Sequence, residues 1–271
     1  MLVCAMSNTA NVPENHAHGK PSSSPVQIVP LTGLPEVAPG NDLAPLFVEA
    51  IKRQRVVLGQ GDVLVVAQKI VSKAEGRIVR LDSVVPSERA KRWAAEYHKD
   101  PRLIELVLRE SVGIVRMERG VIVARTRHGF VCANAGVDMS NAPRGTASLL
   151  PEDPDRSART IQEQLARALG VPVAVIVSDT FGRPWREGLV NVALGVAGMF
   201  PLVDYRGQRD TLGTLLQATV IALADELAAA AGLVMGKLDR VPAAVVQGIA
   251  IADRMGSGQD LIRPAERDLF R

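Results

Sequence analysis

The chain has 271 residues, 47% of them apolar and only 3% aromatic, and a net charge of +3, so an aliphatic core of one large or two modest domains is affordable. So few aromatics, with acidic and basic residues interspersed, exclude a base-stacking or basic-patch nucleic-acid binder and suit an enzyme for small anionic ligands. Cys4 and Cys132 make no disulfide framework, the first six residues are too short for a signal-peptide core, and the apolar run Leu189 to Val203 is interrupted by Asn191 and Pro201; a cytoplasmic protein with no membrane span is expected.

Residues 1–25 are polar and read as a flexible tail. His16 and His18 within it read as part of that solvated tail rather than as a metal site. Residues 26–271 form the ordered region. Val26 to Pro30 predicts a short strand, followed by a turn-rich Thr32 to Glu36. Asp42 is placed to cap a helix through Phe47 and Ile51. Gly61-Asp62 turns into the buried strand Val63 to Val66. Ser87 and Asp100 open two helices. Three strands follow, over Gly113 to Met117, Val121 to Arg125 and Phe130 to Ala133, the first two joined by a Glu118-Arg119-Gly120 hairpin turn. Ser157 to Leu169 reads as an amphipathic helix, Pro172 to Ser178 as a buried strand, Thr214 to Ala231 as a long Ala-rich helix and Ala243 to Val246 as a last strand. Meander-like strands with separate helices point to an α+β fold.

Three segments carry polar residues suited to chemistry. In Val66 to Arg77, Lys69 and Lys73 follow a buried strand; they are either phosphate-binding point charges or surface lysines of a solvated loop. The Walker A pattern is absent. In Asn134 to Asn141, small residues permit close backbone approach, Asp138 is a hard oxygen ligand for magnesium or manganese, and Asn141 offers donor and acceptor. Alternatively, Asp138 closes an Asx turn on its own backbone. In Val173 to Arg186, an apolar strand delivers Asp179 and Thr180 at its end, with Arg183 and Arg186 beyond. Asp179 could hold a metal there, with the arginines neutralising an anion, or it could cap a helix with the arginines on the surface. There is no zinc cluster and no Gly-x-Ser-x-Gly elbow, so carboxylates with lysines and arginines point to metal-assisted phosphoryl transfer.

These segments, in this order, resemble the coenzyme F420-0:L-glutamate ligase family. The resemblance starts at Ile28-Val29-Pro30-Leu31-Thr32-Gly33-Leu34-Pro35-Glu36. It runs through Gly61 to Val66, Val71 to Arg77, Ala135 to Asp138, Ser140-Asn141 and Ser178 to Arg183. It ends with Ala224 to Leu227, Val234 to Lys237, Arg263-Pro264 and Asp268-Leu269-Phe270. The resemblance implies a two-lobed α+β fold in an intertwined homodimer, with GTP as cosubstrate, a divalent metal (Mg2+ or Mn2+) and a monovalent cation, K+. It implies GTP contacts at Leu34, Pro35, Glu36, Val37, Gln68, Lys73 and Asn141, and metal ligands at Asp138, Asp179 and Thr180. Gln68 stands where some relatives have Ser, and Leu215 where some have an acidic or polar residue that would add a third metal ligand.

The implied reaction joins L-glutamate through an amide to the carboxylate of F420-0 by way of an acyl phosphate, with further γ-linked glutamates as an extension. Lys73, Arg183 and Arg186 are the candidate catalytic groups: the lysine for the transferred phosphoryl group, the arginines for a substrate carboxylate. Some relatives continue into a flavin-binding nitroreductase-like domain; here the ligase region is expected alone, finishing at Asp268 to Arg271. The alternatives are another metal-dependent nucleotide enzyme, or a GTP-binding module without chemistry.

Overall fold

A computed structural model of the chain describes residues 25–251 and 255–268. The expected tail lies outside the described residues except for residue 25, as do Leu269, Phe270 and Arg271. The centre is a five-stranded mixed sheet in the order β1-β12-β2-β8-β9. Its strands are β1 (Gln27–Pro30), β2 (Val63–Ala67), β8 (Ala174–Arg183), β9 (Arg186–Ala197) and β12 (Ala243–Gln247). Only β2 and β8 run parallel, paired from Val63 with Ala174 to Ala67 with Ser178. The near-continuous apolar runs of β2 and β8 follow from burial on both faces.

One face is covered by α1 (Leu43–Arg53) and α5 (Pro154–Leu169), with Phe47, Ile161 and Leu165 packed against Leu64, Val66, Val175 and Val177. The other is covered by α6 (Leu223–Met235), whose Leu227, Ala228 and Ala231 meet Val65, Ile176, Val196 and Val246. Alternate residues of β8 therefore face opposite layers, as strand geometry requires. The caps fall where expected: Asp42 accepts from Ala44 N at 3.3 Å, ahead of α1. Gly61 takes a positive φ of 92°, and Asp62 accepts from Gly59 N at 2.8 Å, setting the turn into β2.

Between α2 (Gln68–Ala74) and α5 the chain builds a second set of elements with its own apolar clusters. Here α3 (Glu88–Tyr97) and α4 (Pro101–Arg109) are capped by Ser87 and Asp100 and pack on β4 (Ser111–Glu118) and β5 (Val121–Thr126), with β6 (Val131–Ala133) paired to β5. The short strands β3 (Ile78–Arg80) and β7 (Thr146–Ser148) pair antiparallel at its base. Buried Glu110 joins the start of this set to its middle: it accepts from Arg77, just after α2, at 2.7 Å and from Arg127 at 2.8 Å.

Three expectations are corrected. The helix expected from Thr214 starts at Leu223; the β-branched run Thr219-Val220-Ile221 instead extends, and β11 (Val220–Ile221) pairs with β10 (Val203–Asp204) at the base of an exposed hairpin. The segment after β2 is no solvated loop: it forms α2, and both lysines are mostly covered. Asp179 caps no helix, because β8 runs on through Arg183.

Candidate active site

Strand β2 ends at Ala67, and α2 starts at the next residue, so Lys69 and Lys73 leave the end of the parallel pair one helical turn apart on one face. Both are held by carboxylates. Lys73 forms an ion pair with Glu36, and its side chain is only 14% exposed. Lys69 donates to Asp138 Oδ2 at 2.5 Å, and to the carbonyl and hydroxyl oxygens of Ser140, each at 2.8 Å.

Asp138 is fixed from two sides. Its backbone bridges to β7, with Asp138 N to Ser148 O at 3.0 Å and Ser148 N to Asp138 O at 2.7 Å. Just before it, Asn134, Ala135 and Gly136 all have positive φ, at 53°, 50° and 73°. A left-handed non-Gly residue costs roughly 1–2 kcal/mol, and such strain persists only where packing dictates it. Here Ala135 is fully buried against α3 and α4, and a Cβ on Gly136 would lie 2.5 Å from the Leu150 side chain. The expected Asx turn does form, with Ser140 N donating to Asp138 Oδ1 at 2.8 Å. The same carboxylate thus closes its turn with one oxygen and meets Lys69 with the other.

Asp179 is the first residue of β8 beyond the parallel pairing with β2. It lies on the same face as Val175 and Val177, and it feels the charges of Lys69, Lys237 and Asp138. Burial pushes its carboxyl up from the ordinary range, against the Thr180 backbone N–H and the two lysines. Burial acts on Asp138 as well, but hydrogen bonds from Lys69 and Ser140, with the Lys69 charge, hold that carboxyl below the usual range. Two nearby carboxylates thus lie on opposite sides of their ordinary acidity, divided by direct contact with one ammonium.

Thr180 points to the other layer, where its hydroxyl donates to Asn191 Oδ1 at 2.8 Å and accepts from Lys237. Leu34 and Val37 pack into the core while Pro35 and Glu36 remain exposed, with Glu36 beside Lys73. Gln68 is buried and accepts from Ser72 Oγ at 2.8 Å. Asn141 lies on the exposed loop after Asp138 with a φ of 52°. Arg183 and Arg186 close the β8–β9 hairpin; four residues past Asp179 is about 13 Å along a strand, and Arg183 donates to Glu187 O at 2.7 Å. The fold therefore gathers Asp138, Asp179 and Lys69, sets Glu36 against Lys73 one turn on, and leaves the arginines at the hairpin tip. Asn191 carried no sequence signal, and Lys237 only its place in the family-resembling Val234 to Lys237; strand register and the end of α6 bring both to Thr180. Lys69 had one, its four-residue spacing from Lys73.

The donor set suits a hard divalent cation. Asp138 and Ser140 already hold an ammonium, and Asp179 adds a second carboxylate beside it. Among the described residues no group of three or more His, Cys, Asp or Glu side chains could hold a metal. Two carboxylates with phosphate oxygens and water are the usual surroundings of Mg2+ in nucleotide enzymes. No helix among the described residues is long and apolar enough to cross a membrane.

A family model described as F420-0:Gamma-glutamyl ligase matches residues 33–248. The chain is similar to a coenzyme F420:L-glutamate ligase of Methanothermobacter thermautotrophicus, 47% identical over 91% of this chain and 99% of the relative. The protein of that name from Methanopyrus kandleri is 47% identical over 87% of this chain and 94% of its own length. The one from Methanocaldococcus jannaschii is 42% identical over 78% and 85%. With most of its length matched at this level, the chain belongs to the F420-0:gamma-glutamyl ligase family.

Proposed function

We propose that this protein joins L-glutamate through an amide bond to the carboxylate of F420-0, with GTP as phosphoryl donor. Support comes from the family, whose similar members carry the name coenzyme F420:L-glutamate ligase. The carrying observation is the convergence of Asp138, Lys69 and Asp179 at the end of the β2–β8 pair. Such a cluster serves transfer of an anionic group and offers no nucleophile of its own.

A carboxylate resists attack by an amine, so it must first be activated. A carboxylate oxygen of the acceptor attacks the γ-phosphorus, the bond to the β–γ bridging oxygen breaks, and GDP leaves. The glutamate amine then adds to the acyl carbon, the carbon–oxygen bond to phosphate breaks, and the amine loses a proton. Asp138 and Asp179 would hold a divalent ion, Mg2+ or Mn2+, which supplies charge neutralisation for the phosphates. Lys73 moves from Glu36 to the phosphoryl group and stabilises the charge developing on it. Exposed Pro35 and Glu36 line the nucleotide on the side of Lys73, with Leu34 and Val37 anchoring that segment in the core and presenting its backbone. Gln68 supports that wall from beneath, and Asn141 borders it from the Asp138 loop. Arg183 and Arg186 take a substrate carboxylate at the hairpin end.

The active unit is a homodimer of two-lobed chains. Its support is the pair of hairpins that carry exposed apolar residues, Trp185 and Leu189 on one and Leu212 and Leu215 on the other. Light scattering at assay concentration should return twice the mass of the chain; a fully active monomer would refute this.

The decisive experiment supplies F420-0 labelled with 18O in its carboxylate, with GTP and L-glutamate. Mass spectrometry should find a glutamylated deazaflavin and one labelled oxygen in the released phosphate. Product with unlabelled phosphate would overturn the acyl phosphate, and GTP binding without any amide product would overturn the ligase reading.

A further inference from the structure

The Lys69 ammonium has three N–H donors and three oxygen acceptors: Asp138 Oδ2 at 2.5 Å, Ser140 O at 2.8 Å and Ser140 Oγ at 2.8 Å. Its side chain is 19% exposed against 44% for Asp138, so the pair is only partly screened by water. Ser140 Oγ itself donates to Asp138 Oδ2 at 2.5 Å, which closes the ring of contacts. Asp179 stands within reach of the same positive charge. A carboxylate, a carbonyl and a hydroxyl around one cation form an oxygen set that a hard divalent ion would also choose.

We infer that Lys69 is the resident cation of this site: its ammonium holds Asp138 in the metal-free protein and excludes free divalent metal until nucleotide phosphates take the ammonium over. The inference rests on Asp138 and Asp179 being the metal carboxylates. The physical argument is competition. A divalent ion arriving alone must break the Lys69–Asp138 pair and then sit beside a displaced, uncompensated ammonium. A divalent ion arriving with phosphates meets no such cost, because a phosphate oxygen replaces Asp138 as partner of Lys69. Lys73 repeats the arrangement one turn along α2, where Glu36 occupies it. Lys69 is thus a positioning residue that couples metal entry to nucleotide entry.

The test is equilibrium binding of Mn2+ to the full chain, without nucleotide and with a non-hydrolysable GTP analogue. Wild type should bind Mn2+ weakly alone and much more tightly with the analogue. Lys69→Met should bind Mn2+ alone about tenfold more tightly, equal to ~1.4 kcal/mol, and should gain less from the analogue. Lys69→Arg, which keeps the charge, should stay near wild type. Lys69→Gln, which removes the charge but keeps a polar side chain, should shift Mn2+ binding the same way, so the idea remains testable if Lys69→Met folds poorly. Unchanged or weaker Mn2+ binding in Lys69→Met and Lys69→Gln, with Asp138→Asn still impairing Mn2+ binding in the presence of the analogue, would overturn the role of Lys69 and leave the metal site standing. Mn2+ binding indifferent to Asp138→Asn with and without the analogue would overturn the metal site, and this inference with it.

Discussion

Asparagine at Asp179 and at Asp138 should impair turnover alike and shift metal-free stability in opposite directions. Asp179 is ionised at a cost: burial raises its carboxyl pKa from the ordinary 3.8, and nearby Asp138 adds to the rise. A group raised in the fold contributes stability below its unfolded pKa and loses it as pH climbs through the raised value. Asn keeps the shape, can still accept from the Thr180 N–H, and carries no charge. Asp179→Asn should therefore gain about 1 kcal/mol at pH 7, and the gain should shrink as pH falls towards 4. Asp138 has the opposite sign. Its carboxyl is held below the ordinary range, so it contributes stability at neutral pH that is lost in acid. Asp138→Asn breaks the contact with Lys69; with the pair partly exposed, the loss lies between a surface and a buried ion pair, about 1 kcal/mol. For a chain of this size each kcal/mol moves Tm by roughly 2–4 °C, within reach of calorimetry. Turnover in both should fall by on the order of a hundredfold or more, about 3 kcal/mol. The stabilisation conferred by GTP with Mg2+ should shrink in both. Near-wild-type turnover in both variants, or a lower metal-free Tm in Asp179→Asn, would refute the reasoning.

Glu110→Ala should cost about 3 kcal/mol in urea denaturation, because it strands Arg77 in a mostly buried position; a loss under about 1 kcal/mol would show that the clamp is incidental. The buried thiol of Cys132 is pushed up to about 12, so in a Cys4→Ser background native protein at pH 8 should resist a disulfide reagent that reacts at once after denaturation. The same raised thiol contributes stability below its ordinary pKa of 9.0 that is lost as pH climbs towards 12, so Cys132→Ala should show a shallower alkaline decline in Tm. At matched concentration ATP should give far less amide product than GTP; equal turnover would refute the choice of donor.

Local sequence rules account for much of the fold because their causes are local. The apolar run Val63 to Val66 becomes a strand buried on both faces, and Asp42, Ser87 and Asp100 each cap the helix that follows them. The same rules singled out Asp138, Asp179 and Lys73, the last through spacing and family resemblance. They failed where the deciding partner is distant in the chain. The stretch Thr214 to Ala222 reads as the start of the Ala-rich helix, yet Thr219 to Ile221 extend because β10 offers a pairing edge. Asp179 has the look of a cap, yet β9 carries its strand onward to Arg183. Lys69 and Asp138 lie 69 positions apart and meet only because α2 leaves the end of β2 where β7 bridges to Asp138. Lys237 reaches Thr180 only through the packing of α6 on β9. Sequence thus determined most of the strands and helices, where local pattern and caps suffice, and which side chains can carry charge. The tertiary structure decided which charges face one another, because ion pairing and burial depend on strand register and layer packing, which no local window contains.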